Sequence, residues 1–83
     1  MSQDTLAPFS PAAQSIVAGS IYEHYKGPRY KVFFVVRHSE TLEELIAYQD
    51  GKGDMWVRPL TMFLENVTIN GESRPRFKLV SVG

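Results

Sequence analysis

The sequence predicts an all-β domain, a small barrel or sandwich of five or six short strands. Three observations carry that expectation. Runs of aromatic and β-branched residues recur along the chain, Gly, Pro, Asn and Asp turn signals separate them about every 8 to 12 positions, and no heptad or internal repeat is visible. Length sets the scale: the chain has 83 residues, 43% hydrophobic, with no Cys. A domain this size buries roughly 60 to 65% of its unfolded surface, which excludes large multilayer enzyme folds. The lack of Cys excludes a disulfide framework, a thiolate nucleophile and Cys-rich metal centres. Nine basic and nine acidic residues give zero net charge, which removes the broad attraction of a basic domain for phosphate backbones or anionic membranes.

Residues 1–18 read as a flexible leader before a single domain over 19–83. They lack the basic opening and apolar core of a secretory signal, so the expected location is the cytoplasm. No run approaches the ~20 apolar residues needed to cross a bilayer. Within the leader, Ser10 followed by Pro11 offers an alternative, one short helical turn capped by Ser10 and ended before Gly19. Ile21 to Tyr25 and Tyr30 to Val36 are then two strands joined by a turn at Lys26-Gly27-Pro28-Arg29. Centred on Gly27-Pro28, that hairpin sets His24 opposite Lys31. The unbroken apolar run from Val32 to Val36 implies that both faces of this strand are covered, by a barrel or by a second copy.

Ser39 to Glu43 is expected to be a turn and residues 44–49 a strand, because the loop Asp50-Gly51-Lys52-Gly53-Asp54 leaves too little chain for a helix. Met55 to Arg58 forms a strand stopped by Pro59, and residues 60–64 a single helical turn with Met62 and Phe63 facing inward. Asn70-Gly71 then turns Val67-Thr68-Ile69 back onto the last strand, Arg76 to Val80, with Pro75 delaying the pairing.

Little of the chemistry-bearing content forms a motif. A metal or catalytic role for the two histidines, His24 and His38, requires them to meet with Glu23, Glu40 or Asp54, and the hairpin holds them apart. Ser39 beside His38 and Glu40 superficially suggests a hydrolytic relay, but sequence neighbours on an extended chain point apart, so turn capping is the better reading. Gly51-Lys52-Gly53-Asp54 lacks the spacing of a phosphate loop or a calcium loop. No cofactor is implied.

Charge is unevenly placed: Lys26, Arg29, Lys31 and Arg37 occur without an acid between residues 24 and 37, and Glu40, Glu43, Glu44 and Asp50 without a base between 40 and 50. These segments either neutralise one another across strands or form separate faces. Trp56-Val57-Arg58-Pro59 is the best candidate binding edge, combining a large rigid ring with a planar multi-donor fork. Its architectural alternative has Trp56 filling the barrel mouth and Arg58 paired with Glu40 or Glu43.

The ordered pattern Tyr22-x-His24-Tyr25-Lys26-Gly27-x-x-Tyr30-x-Val32, Arg37-His38-Ser39-Glu40-Thr41-x-Glu43, Tyr48, Trp56-Val57-Arg58-Pro59 and Met62-Phe63 resembles a family of small bacterial proteins known as domain of unknown function 1653. The resemblance spans about residues 19–80 and implies a small barrel of the SH3 type with a helical turn near 60–64. Val36 and Ala47 depart from the family pattern, each exchanging one small apolar residue for another. The resemblance brings no catalytic assignment.

Three functions are therefore weighed. The first is a noncatalytic binding or adaptor module that uses Tyr25, Arg37, His38, Glu40, Trp56 and Arg58 to hold a protein or small polar ligand. An exposed Trp56 favours it, and a Trp56 buried against Phe33 and Phe63 weakens it. The second is RNA or DNA binding through Lys26, Arg29, Lys31, Arg74 and Arg76 with nearby tyrosines. The third, a minimal enzyme using His24 or His38 with Glu40, needs an enclosed pocket that so small a barrel seldom provides. A monomer and a homodimer are both compatible with the pattern.

Overall fold

A computed structural model describes residues 6–83. Its elements in chain order are α1 (Pro11–Gln14), β1 (Ile21–His24), β2 (Arg29–Arg37), β3 (Glu44–Gln49), β4 (Met55–Pro59), α2 (Leu60–Leu64), β5 (Asn66–Ile69), β6 (Glu72–Pro75) and β7 (Phe77–Ser81). The fold is mostly β, as expected. Five strands form one antiparallel sheet in the order β4-β3-β2-β1-β7, and β5 and β6 form a separate hairpin. The sheet is not closed: β4 and β7 are both edge strands, so the expected closed barrel is not found. No helix of the described residues is long and apolar enough to cross a membrane.

The first hairpin is tighter than the sequence predicts. His24 N–H donates to Pro28 C=O at 2.8 Å and Gly27 N–H to His24 C=O at 2.8 Å, with Gly27 at φ +115°, which only glycine adopts readily. Pairing therefore starts at Glu23 with Arg29, and Ile21 rather than His24 stands opposite Lys31. In β2 a bulge at Phe33 shifts the register against β3. That extra residue sends Val32 and Val35 to the core side and Phe34 and Val36 to the other side, which the chain leaves open.

The strand at residues 44–49 and the helical turn at 60–64 lie where the sequence places them. In α2 the inward pair is Leu60 and Phe63, while Met62 is 43% exposed. One helical turn brings positions three apart onto one face, so Met62 cannot share the core side with Phe63. Asn70 (φ 51°) and Gly71 (φ 81°) form the expected tight turn, but β5 folds directly onto Glu72–Pro75. The last strand, freed from that hairpin, crosses to β1, where Phe77 stands opposite His24.

The core joins Tyr22, Val32, Ile46, Tyr48 and Phe77 from the sheet to Leu60 and Phe63 from α2. Phe63 stacks on Phe77 at 4.2 Å between centroids and meets the edge of Tyr22 at 5.1 Å. From Ala7 on, the leader segment contacts this domain. Ser10 caps α1, Ala13 is buried in the core, and the Glu44 carboxylate accepts from both the Ser10 N–H (2.7 Å) and its hydroxyl (2.6 Å).

Candidate functional site

The two ends of β2 hold different sets of polar side chains. At the end where β2 meets β3, Arg37 stands opposite Glu44. Its guanidinium lies 4.1 Å from the Phe9 ring centroid and donates to the Ala7 carbonyl. Next to it, the His38 Nδ1 accepts the backbone N–H groups of Glu40 (3.1 Å) and Thr41 (3.3 Å), while Leu42 takes a positive φ of 63°. Arg37, His38 and Glu40 thus tie the leader segment and a turn. Ser10 hydrogen bonds, helped by Arg37, hold the Glu44 carboxyl below the usual carboxylate range.

The opposite end, nine β2 residues away, gathers a different group. His24 leans on Phe77 (5.0 Å) and on Tyr25 (4.4 Å), and Tyr30 and Tyr48 pack edge to face at 5.4 Å. Arg58 extends from β4 over the same Phe77 ring, 5.5 Å from its centroid, with its Nε 3.4 Å from the Tyr48 hydroxyl. Arg58 has no carboxylate partner among the described residues, so the expected ion pair with Glu40 or Glu43 is absent. Those two acids sit in the β2–β3 turn, while the alternation of β4 aims Arg58 across the sheet toward Tyr48 and Phe77. Two residues back on the same face, Trp56 is 53% exposed, and its indole N–H is held by Asp50 Oδ2 at 2.9 Å. It packs against neither Phe33 nor Phe63 among the ring contacts of the described residues.

The electrostatics here favour an anion. Burial, then the positive charges of Arg58, Arg76 and Lys26, push the His24 pKa below its ordinary value. His24 Nδ1 accepts the Lys26 N–H at 3.2 Å, which leaves Nε2–H as the donor of the neutral ring. Arg76 donates from Nη2 to Glu65 at 2.7 Å, but its buried Nε–H has no partner among the described residues. Beside this group, His24 and Tyr25 also line an open cleft of about 540 Å³ with Glu23, Gly27, Arg74, Pro75 and Lys78.

Of the six ligand-binding candidates, Trp56, Arg58 and Tyr25 share this end with His24, and Arg37, His38 and Glu40 lie at the other. The five cations of the nucleic-acid reading do not form one free stripe: Arg29, Arg74 and Arg76 each pair with a glutamate (Glu23, Glu72 and Glu65), Lys26 sits over Tyr25 and Lys31 over Phe33. Among the described residues no three His, Asp or Glu gather as a metal site. Phe77, the floor beneath Arg58, escaped sequence reasoning, whereas Tyr48 was already visible there in the family pattern. Only the long-range pairing of β7 with β1 brings Phe77 to His24, and no short-range signal encodes it.

A family model described as "Protein of unknown function (DUF1653)" matches residues 20–79. A solved structure of a protein of that family from Bordetella bronchiseptica is similar, with a TM-score of 0.74 and 29% identity, covering 86% of this chain and 95% of that one. No curated protein matches the chain.

Proposed function

The chain belongs to the DUF1653 family, and we propose that it is a noncatalytic binding module whose ligand presents a carboxylate to Arg58 and His24. The observation that carries this reading is Arg58 itself, a guanidinium without an acidic partner among the described residues, set over Phe77 beside a histidine kept neutral. A guanidinium fork binds a carboxylate through two parallel hydrogen bonds, and the His24 Nε2–H and Tyr48 hydroxyl supply further donors. Trp56 gives an exposed aromatic wall for whatever carries the anion, a small polar molecule or an acidic side chain or C-terminus of a protein. The short helix and the return of β7 to β1 support reading the fold as an open relative of the SH3-type barrel, a scaffold on which docking sites form at the rim.

The single Trp reports on the site directly. Titration with benzoate should change Trp56 emission saturably, acetate should act more weakly, and Arg58→Met should abolish the change. An unsaturated response equal in wild type and Arg58→Met overturns the reading.

A further inference from the structure

The sheet face opposite the core carries a second surface. Rows of side chains run across β2, β3 and β4 on that face: Phe34, Ala47 and Val57 form one row, and Val36, Leu45 and Pro59 the next. Phe34 is 62% exposed, Val57 60% and Met55 52%. Neither row contains a charged residue; the charges that border them are Lys31, beside Gln49 at one corner, and Glu43, which precedes Leu45 by two positions at the other end. The charged positions of this face, Glu23, Arg29, Lys31 and Lys78, belong to β1, to the first half of β2 and to β7. The patch is therefore a bounded apolar area and not a general property of the sheet.

We infer that the occupant of this face is a second copy of the chain, packed sheet to sheet about a two-fold axis. Shape argues for it first. Ala47 lies between the larger Phe34 and Val57 as a hollow between two projections, so in a two-fold arrangement Phe34 of each copy seats over Ala47 of the other. Charge argues for it second, because the rows offer no ion-pair partner to a charged ligand, and only an equally uncharged surface loses nothing on covering them. Area argues for it third. Side chains exposed to this extent leave roughly 500 Å² per copy, at the upper end for a monomer's largest apolar patch. Two copies together bury about 1,000 Å², the lower bound for a specific interface. The dimer is accordingly weak and concentration-dependent. In this dimer the two Arg58 sites remain on the outer faces, so one assembly presents two binding sites. The inference does not depend on the carboxylate reading, and its test needs no ligand.

Sedimentation equilibrium of the full chain from low micromolar to high micromolar concentration is the test. The wild type should shift from monomer to dimer across that range, and Phe34→Lys should weaken association by at least ~10-fold while its far-ultraviolet circular dichroism stays that of the wild type. Ala47→Phe, which fills the hollow without adding charge, should also weaken it, and Val82→Lys, at an exposed apolar position away from the rows, should not. A wild type that stays monomeric throughout overturns the inference. So does a dimer unaffected by both Phe34→Lys and Ala47→Phe, or association that continues past two copies.

Discussion

Both histidines use Nδ1 to accept backbone N–H groups of the turn that follows them; at His24, burial and then the charges of Arg58, Arg76 and Lys26 lower the pKa. With its pKa lowered, the neutral ring is favoured in the folded state. That contribution is fully present above the ordinary histidine value near 6.5 and is lost as pH falls through the lower folded value. Thermal melts between pH 8 and pH 5 should therefore show stability declining below about pH 6.5, with a shallower decline in His24→Gln. An identical slope in the variant contradicts the assignment. Asp50 gives a second residue-level test. The Trp56 indole, then backbone N–H groups, hold its carboxyl below the usual value, so the clasp is complete above the unfolded Asp pKa and opens only as pH falls through the lower folded one. Trp56 emission should shift only in strong acid in the wild type, and already at neutral pH in Asp50→Ala. The turn role of Asp50 was legible in the Asp-Gly-Lys-Gly-Asp loop, because short polar side chains next to glycine bond their own backbone. The bond to Trp56 was not legible, since it depends on which face of β4 the indole occupies.

At the scale of elements, the pieces bounded by local punctuation were readable. β3 lies between a turn and the Asp50 loop, and α2 follows Pro59, so each could be placed to the residue. Pairings over long sequence distance were not readable: Asn70-Gly71 announces a turn but not which segment returns, and β5 chose Glu72–Pro75 over the final strand. The role of α2 as the lid of the core follows from Leu60 and Phe63 alone. Phe63→Ala should cost about 3 to 5 kcal/mol in chemical denaturation, whereas Met62→Ala should stay within about 0.5 kcal/mol. Comparable losses from both substitutions contradict the observed facing of α2. The docked leader is a further element with its own latch: Ser10→Ala removes both contacts of that hydroxyl, the helix cap on the Ala13 N–H and the bond to Glu44, at an expected cost of about 1 kcal/mol.

For the whole molecule, zero net charge conceals a partial local neutralisation. Arg29 pairs with Glu23 within the first hairpin, and of the basic and acidic segments only Arg37 and Glu44 face one another across β2 and β3. Arg58 stands outside this cancellation, beside His24 on an aromatic floor. In the proposed binding mode these two residues receive one anion. The most direct measurement is an NMR titration of the His24 imidazole against pH, with and without saturating benzoate. The free protein should show a pKa below the ordinary histidine value, and binding should shift it upward as the carboxylate offsets Arg58, with that shift lost in Arg58→Met. A His24 titration unmoved by benzoate, or moved equally without Arg58, contradicts it.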